Sequence, residues 1–197
     1  MAKGRPRNPA IRRGRPAPQA RALEVDDQGV VRAARQVPTS HCDARPAGIA
    51  VELIVLHNIS LPPGDFGGRA IEEFFTGTLD CTRHPYFESL RGLRVSAHFL
   101  VRRNGDLVQF VPCELRAWHA GASAWNGRER CNDFSVGIEL EGSDEAPFTA
   151  LQYETLAALV TALRARYPIA GIAGHSEIAP GRKTDPGPHF DWSRIPR

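Results

Sequence analysis

The sequence predicts one α/β domain, with a mixed β-sheet at its centre and helices packed against that sheet. Three segments lead to this prediction. Residues 49–57 are an almost continuous run of apolar and β-branched residues, which is typical of a central strand buried on both faces. Residues 134–142 alternate strictly between apolar and other side chains, as a strand does. Residues 149–166 place apolar side chains at helical spacing, so they predict a helix that covers the sheet.

Length and composition fit a single soluble domain. The chain has 197 residues, of which 42% are hydrophobic and 24% are charged. No run of 18 apolar residues is present, so no membrane span is expected. The basic N-terminus is not followed by an apolar segment, so no secretory signal is predicted. We therefore expect a cytoplasmic protein whose four cysteines, which show no CxxC spacing, are reduced.

The positive charge of the chain is concentrated in residues 1–23. This segment holds seven of the 25 Lys and Arg residues and no acidic residue, and it is rich in Pro. Such a segment is either an arm that binds nucleic acid or a membrane surface, or a solvated extension. It has no aromatic residue on which bases could stack, which favours the extension. We predict a disordered tail over 1–23 and a domain over 24–197, with neither a nucleic-acid nor a membrane partner.

Turn residues separate the elements of the first half of the chain. The turn at 26–29 leads to a short predicted strand at Val30-Val31. After the first core strand, residues 61–68 are rich in Gly and Pro and predict a loop. A short helix is expected over 70–75, and Gly77 ends it.

A hairpin is predicted over residues 95–111, after an irregular segment at 78–92. Its turn is Asn104-Gly105, since glycine adopts the positive φ that a tight turn requires. The first strand of this hairpin is expected to place four side chains on one face: Val95, Ala97, Phe99 and Val101.

The second half of the chain continues with a strand, a helix and a strand. In the strand at 134–142, Glu139 lies on the face opposite the apolar residues. Thr149 is the expected N-cap of the following helix, and Tyr167-Pro168 ends it. The apolar stripe of that helix is Leu156, Leu159, Val160 and Leu163. A last strand at 169–174 leads into His175.

Imidazole, carboxylate and ammonium groups fall at strand ends and in the last loop. They are His57, Glu139, His175, Lys183 and Asp185. Two imidazoles and a carboxylate make a three-ligand zinc set that leaves a fourth position open. A further carboxylate acts as general base, and an ammonium group stabilises an oxyanion. This set of residues predicts metal-assisted hydrolysis of an amide.

Spacing alone leaves other interpretations open. The chain has seven histidines and no HExxH motif, so many ligand triples are possible. A histidine within a strand is more often a hydrogen-bonded core residue, which is the interpretation favoured for His98. His119 is a candidate loop ligand or substrate contact. Glu139 on the non-apolar face of its strand is equally consistent with a solvated side chain.

Six ordered motifs resemble those of the AmpD-type amidases. The motifs are Leu56–Gly64, Arg94–His98, Arg116–Gly121, Gly127–Asp133, Gly137–Gly142 and Arg182–Gly187. These amidases are cytoplasmic zinc enzymes of peptidoglycan recycling that act on 1,6-anhydro-N-acetylmuramoyl-L-alanine, and the likeness extends over about residues 27–193. It implies the zinc amidase fold shared with peptidoglycan-recognition proteins.

The resemblance also implies residue roles. His57, His175 and Asp185 match the ligands of one zinc ion, Glu139 the catalytic glutamate and Lys183 the catalytic lysine. Five residues match positions that bind the anhydromuropeptide: Asn58, Arg94, Trp118, Arg130 and Arg182. The arginines suit the carboxylates of a stem peptide, because a guanidinium group binds a carboxylate in bidentate fashion.

The reaction implied is cleavage of the amide between the lactyl group of anhydromuramic acid and L-alanine. In the family this also removes muropeptides that induce β-lactamase. No obligatory protein partner is inferred. Two alternatives are an exported amidase that acts on intact cell wall and a non-catalytic muropeptide-binding module. One departure lies beside the site, where Ser176-Glu177 stands in place of the family's Cys-Asp.

Overall fold

The structure is a computed structural model that describes residues 22–196. Its strands and α-helices, in chain order, are β1 (Arg35–Gln36), β2 (Cys42–Ala44), β3 (Leu53–Ile59), α1 (Ala70–Thr76), α2 (Pro85–Glu88), β4 (Phe99–Val101), β5 (Leu107–Gln109), β6 (Leu115–Ala117), β7 (Ala124–Trp125), β8 (Arg128–Glu129), β9 (Ser135–Glu141), α3 (Ala150–Arg166), β10 (Gly171–Gly174) and α4 (His175–Ile178). Single 3₁₀ turns occur at Cys81–Arg83, Cys131–Asp133 and Trp192–Arg194.

The central sheet has six strands in the order β1-β5-β4-β9-β3-β10. Strand β3 pairs in parallel with both β9 and β10, and β4 pairs in parallel with β9. Strand β5 runs antiparallel to β4, which makes the sheet mixed, as predicted. Two small two-stranded sheets, β2-β6 and β7-β8, lie outside it.

Strand β3 is the central strand that the apolar run predicts. Its first four residues, Leu53 to Leu56, are fully buried. It begins four residues later than the predicted strand, because its pairing starts where the N–H groups of Glu52 and Leu53 both donate to the carbonyl of Phe134. It continues to Ile59, so His57 lies within the strand rather than at its last residue.

Helix α3 covers one face of the sheet as predicted. Thr149 and Gln152 form a capping box that closes its first turn. The four residues of the predicted apolar stripe are fully buried and pack against Phe99, Val136 and Ile138 of the sheet. Burying an aliphatic side chain of this size contributes about 1.5–3 kcal/mol, so the stripe holds the helix on the sheet.

The structure confirms the turn of the predicted hairpin, but it confirms only part of the first strand. Gly105 has φ 85° in the β4-β5 turn. Strand β4 begins at Phe99, and Phe99 and Val101 pack in the core beneath α3. Val95 and Ala97 instead pack beside α1, so the single apolar face predicted for these four residues is wrong. The alternation is interrupted because Ser96 N–H donates to the carbonyl of Trp118 outside the sheet.

Strand β9 is buried on both faces. Ser135, Glu139 and Glu141 are 0%, 8% and 1% exposed, although the alternation is equally consistent with a solvated polar face. The face that carries Glu139 is covered by loops rather than by water, and it holds the candidate site described below.

The shortest elements are the ones that the sequence predicts poorly. The strand expected at Val30-Val31 is only an isolated bridge from Val31 to Val25. The region 78–92, predicted to be irregular, contains α2. Strands of two or three residues depend on a partner elsewhere in the chain, so local sequence gives little signal for them.

Two further expectations concern the ends of the chain and its compartment. Of the predicted tail over 1–23, all but Ala22 and Leu23 lies outside the described residues. None of the helices between residues 22 and 196 is long and apolar enough to cross a membrane. All four cysteines are free thiols: Cys42, Cys81, Cys113 and Cys131.

Candidate metal centre

Three side chains from separate segments direct one donor atom each toward a common point. The Nδ1 atoms of His57 and His175 are 3.0 Å apart. Asp185 Oδ2 lies 2.9 Å from Nδ1 of His57 and 3.1 Å from Nδ1 of His175. Both histidines are buried and Asp185 is half-buried. The three candidate ligands predicted from the sequence are therefore together.

A cation fits this donor set better than protons do. One proton joins only two of the three atoms, whereas a metal ion between them accepts a lone pair from each. Zinc bonds to nitrogen and oxygen of about 2.0–2.1 Å place tetrahedral ligand atoms roughly 3.3 Å apart, close to the separations found here. Two imidazoles and a carboxylate are also a common ligand set for catalytic zinc.

The tautomer of His175 supports metal binding. Its Nε2 lies 3.1 Å from the carbonyl oxygen of Ala120, which only accepts hydrogen bonds. Nε2 therefore carries the proton and Nδ1 presents a lone pair to the common point.

His57 is held by a similar contact on its opposite nitrogen. Its Nε2 lies 3.0 Å from Nδ1 of His119, whose Nε2 lies 3.1 Å from Oγ of Ser135. With His57 Nδ1 used for a cation, Nε2–H donates to His119, and His119 in turn donates to Ser135. Burial lowers the pKa values of His57 and His119, which keeps both imidazoles neutral.

The fold explains how these ligands meet. Strand β10 lies beside β3 and ends at Gly174, so His175 starts α4 close to His57. The N–H of Ser176 donates to the carbonyl of Asp185 at 2.9 Å, which folds the last loop back onto α4. Glu177 accepts from Gly174 N–H at 2.6 Å. The backbone of Ser176 and the carboxylate of Glu177 thus stabilise the turn that carries the ligands.

Glu139 faces the same space from strand β9. It pairs in register with His57 on the parallel strand β3, so the two side chains project from the same face of the sheet. Its Oε2 is buried and has no hydrogen-bond partner among residues 22–196. Burial, reinforced by the charge of Asp185, raises the pKa of Glu139 well above its ordinary value, while Lys183 opposes the shift.

The donor atoms open into a cavity of about 460 Å³. Glu139, Lys183 and all three candidate ligands line it, together with apolar side chains such as Phe74 and Tyr86. Lys183 itself is exposed. The predicted catalytic pair and the predicted ligands therefore border one space large enough for part of a small peptide.

A larger cavity, of about 670 Å³, lies beside Arg35 and Arg102. Its buried charges are paired with one another, since Glu72 accepts from both arginines and Glu141 accepts from Arg102. This pairing is a structural network, and we place the chemistry at the smaller cavity.

Two of the five predicted substrate-binding residues line the smaller cavity. Asn58 donates to Asp144 Oδ1 at 2.7 Å and to the carbonyl of Pro186 at 3.1 Å. Arg182 donates to the carbonyls of Ala120 and Ala122 at 2.9 and 2.6 Å. Both side chains therefore also hold the loops that form the cavity wall.

The other three, Arg94, Trp118 and Arg130, lie outside the lining of this cavity. The guanidinium group of Arg94 is 5.5 Å from the centre of the Trp118 ring, a cation–π contact. The Trp118 indole N–H donates to Asp43 at 3.2 Å. Arg130 is exposed and forms an ion pair with Asp133 at 3.1 Å.

Sequence reasoning did not find how His119, Ser135 and Asn132 support the site. His119 is not one of the three candidate ligands. It contacts His57 on the side of the ring that faces away from the candidate metal position. The signal in the sequence is Gly137, where an added Cβ would lie 2.4 Å from the His119 ring. His98 is a buried core residue: its Nδ1 accepts from Gly137 N–H and its Nε2 donates to Leu115 O.

Comparison with known proteins gives a consistent result. Residues 47–188 match the N-acetylmuramoyl-L-alanine amidase family. The chain is 57% identical over 171 residues to the 1,6-anhydro-N-acetylmuramyl-L-alanine amidase AmpD of Citrobacter freundii, covering 86% of this chain and 91% of that one.

Solved structures agree with this similarity. A crystal structure of a selenomethionine derivative of AmpD superposes with a TM-score of 0.84 at 58% identity, covering 86% of this chain and 96% of the other. The Escherichia coli amidase AmiD in complex with the substrate anhydro-N-acetylmuramic acid-L-Ala-D-γ-Glu-L-Lys superposes with a TM-score of 0.54 at 33% identity, covering 76% and 59% of the two chains.

Proposed function

Because the chain belongs to the N-acetylmuramoyl-L-alanine amidase family, we propose that it hydrolyses the amide bond between 1,6-anhydro-N-acetylmuramic acid and the L-alanine of the stem peptide. One observation carries the proposal. The converging donor atoms of His57, His175 and Asp185 lie in the same cavity as Glu139, a buried carboxylate of which one oxygen has no hydrogen-bond partner in the described part of the chain. A ligand set and a base at one cavity are the requirements for hydrolysing an unactivated amide.

His57, His175 and Asp185 would hold one zinc ion. When bound, zinc supplies Lewis acidity, which polarises a carbonyl group and lowers the pKa of water. Asp185 suits the role of a metal ligand, because the two imidazoles lower the pKa of its carboxyl group further than burial raises it.

Glu139 takes the proton from the attacking water and returns it to the leaving amine. Its raised pKa suits a group that must both accept and release a proton near neutral pH. Lys183, which also lines the cavity, stabilises the negative charge that develops on the amide oxygen.

The five residues that match the family's substrate-binding positions would bind the muropeptide. Asn58 and Arg182 act from within the cavity wall. Arg94 and Arg130 meet carboxylates of the stem peptide, since their guanidinium groups are exposed. Trp118, with Arg94 against its ring, offers an aromatic face to the substrate.

The proposal extends to the biological setting. We place the reaction in the cytoplasm, in peptidoglycan recycling, where removal of anhydromuropeptides lowers β-lactamase induction. Deleting the protein would then raise β-lactamase expression, and supplying the His175→Ala variant would not return that expression to its original level.

Mass spectrometry of reaction products tests the proposed function. Zinc-loaded protein incubated with an anhydromuropeptide is expected to release the free stem peptide, and His175→Ala is expected to release none. The same assay on intact sacculi separates recycling from wall hydrolysis. Stem-peptide release by the His175→Ala protein would exclude the proposed site, and faster release from sacculi than from anhydromuropeptide would favour the exported amidase instead.

A further inference from the structure

The segment 118–121, a motif in the sequence with no role yet assigned as a whole, lies directly behind both candidate metal-binding histidines. Nδ1 of His119 is 3.0 Å from Nε2 of His57. The carbonyl oxygen of the next residue, Ala120, is 3.1 Å from Nε2 of His175. Two adjacent residues therefore contact one histidine each. In both histidines the contact is made to Nε2, the nitrogen that does not face the candidate metal position.

We propose that His119 and Ala120 form a platform that fixes the tautomer and ring orientation of both metal-binding histidines, with His119 as a positioning residue for His57. The inference rests on the proposed function, because it concerns the same metal site. An acceptor on the far nitrogen of an imidazole fixes the proton there and makes the ligating nitrogen a better donor.

The platform is fixed in place by contacts that do not involve the metal-binding residues. Oδ1 of Asn132 accepts from the N–H groups of both His119 and Ala120, at 3.1 and 2.8 Å. One residue earlier, Trp118 N–H donates to Ser96 Oγ at 3.1 Å. The acceptors offered to His57 and His175 are therefore held in position without a contribution from the metal-binding side chains.

The His119 ring is held on three sides. Its Nε2 lies 3.1 Å from Ser135 Oγ, so one nitrogen accepts while the other donates. The ring of His98 packs edge-on against it, with 5.8 Å between ring centres. Below the ring is Gly137, where any side chain would come within 2.6 Å of three ring atoms. The absence of a side chain at 137 is thus a consequence of placing His119 behind His57.

Zinc affinity of His119 variants tests the platform. Leucine at 119 fills space but accepts no hydrogen bond, whereas asparagine places an acceptor oxygen near the position of Nδ1. We expect His119→Leu to weaken zinc binding by about tenfold to a hundredfold and His119→Asn to recover most of the loss. His189→Asn, an exposed histidine that does not line the cavity, is the matched control and is expected to bind zinc like the unsubstituted chain.

Affinities are measured by competition with a chelator of known zinc affinity, and the metal-free unfolding of each variant is followed by circular dichroism. Equal zinc affinity in folded His119→Leu and unsubstituted protein overturns the inference while leaving the proposed function intact. Failure of the unsubstituted chain to bind zinc overturns both.

A second variant keeps the inference testable if His119→Leu does not fold. Ser135→Ala removes only the hydrogen bond from His119 Nε2 and leaves the ring in place. We expect its zinc affinity to fall severalfold, because the proton on His119 is then less firmly fixed. Unchanged affinity in Ser135→Ala would count against the platform.

Discussion

At the scale of single residues, Glu139 is the side chain whose environment departs most from that of an ordinary carboxylate. Its Oε2 is buried without a partner among the described residues, a state that costs folding free energy and is expected chiefly at functional sites. We expect Glu139→Gln to lower turnover of an anhydromuropeptide by about 10²–10⁴-fold, because an amide takes up no proton from water. Initial rates with zinc-loaded protein measure this loss.

Two controls separate loss of the base from damage to the site. Zinc content of Glu139→Gln is expected to match the unsubstituted chain. Its metal-free form is expected to be at least as stable at neutral pH: a carboxyl group whose folded pKa is raised stabilises the fold only at low pH, and this contribution is lost as pH rises through that pKa. An unaltered rate would remove Glu139 from catalysis.

Gly137 gives a second test at the residue scale. The β-carbon of Gly137→Ala would lie 2.4 Å from the His119 ring, so the ring or the strand must move. We expect a loss of unfolding free energy of about 1–3 kcal/mol, measured by urea denaturation. In the double variant Gly137→Ala/His119→Ala the clash is absent, so its loss should be smaller than the sum of the two single losses. Strict additivity would contradict this account.

Residue types and positions made His57, His175 and Asp185 candidate ligands, but spacing alone left other triples open among the seven histidines, and the resemblance selected this one. The residues that support these ligands could not be predicted. The role of His119 depends on which of its nitrogens faces His57, a property of side-chain orientation that spacing does not encode. Glu139 shows the same limit, because strict alternation gives its face but not whether loops or water cover that face.

At the scale of elements, an ion network ties α1 to the ends of two strands. Glu72 of α1 accepts from Arg35 and from Arg102, and Arg102 also donates to Glu141 at the end of β9. The hydrogen bond from Arg35 holds the pKa of Glu72 below its ordinary 4.5, helped by Arg102 and opposed by burial. For a lowered pKa, the stabilisation is complete above the unfolded value and is lost as pH falls through the folded value.

We therefore expect Glu72→Gln to lower the free energy of unfolding at pH 7, on the order of 1–3 kcal/mol, and to flatten its decrease below about pH 4.5. Urea denaturation at several pH values measures both effects. Glu88→Gln is the matched control, because Glu88 and its partner Arg91 are exposed, and such pairs contribute little. An identical pH profile for Glu72→Gln and the unsubstituted chain would refute the role of the network.

Long elements are predictable because each carries its own signal. Helix α3 has a cap, a stripe and a stop signal, and β3 has an apolar run, so both are found within a few residues. The pair β2-β6 has no comparable signal, because each of its strands has only three residues and its partner lies far away in the chain, Cys42 pairing with Ala117. The two-residue strands β7 and β8 flank the turn Asn126-Gly127, a local hairpin signal that the prediction did not use. The single face predicted for Val95, Ala97, Phe99 and Val101 was wrong for a related reason: Ser96 exchanges hydrogen bonds with Trp118, which lies outside the sheet.

At the scale of the whole molecule, the candidate site joins segments that are far apart in the chain. His57 and His175 are 118 residues apart, and the imidazole of His119 that contacts His57 comes from a loop between them. The mixed sheet brings them together, because β10 returns to lie beside β3. A metal ion here would connect the centre of the sheet to the last loop, and it should therefore stabilise the fold as a unit.

Metal removal tests this coupling. A ligand that binds only the folded chain stabilises it by about 2.7 kcal/mol at a free concentration of 100 times its Kd. For a domain of this size, that corresponds to a rise in melting temperature on the order of 5–10 °C. We expect such a difference between zinc-loaded protein and protein in excess EDTA by scanning calorimetry. His175→Ala, which lacks one ligand, should melt at nearly the same temperature in both conditions; a large zinc-dependent shift in this variant, or none in the unsubstituted chain, would mean that the three donor atoms do not hold the ion.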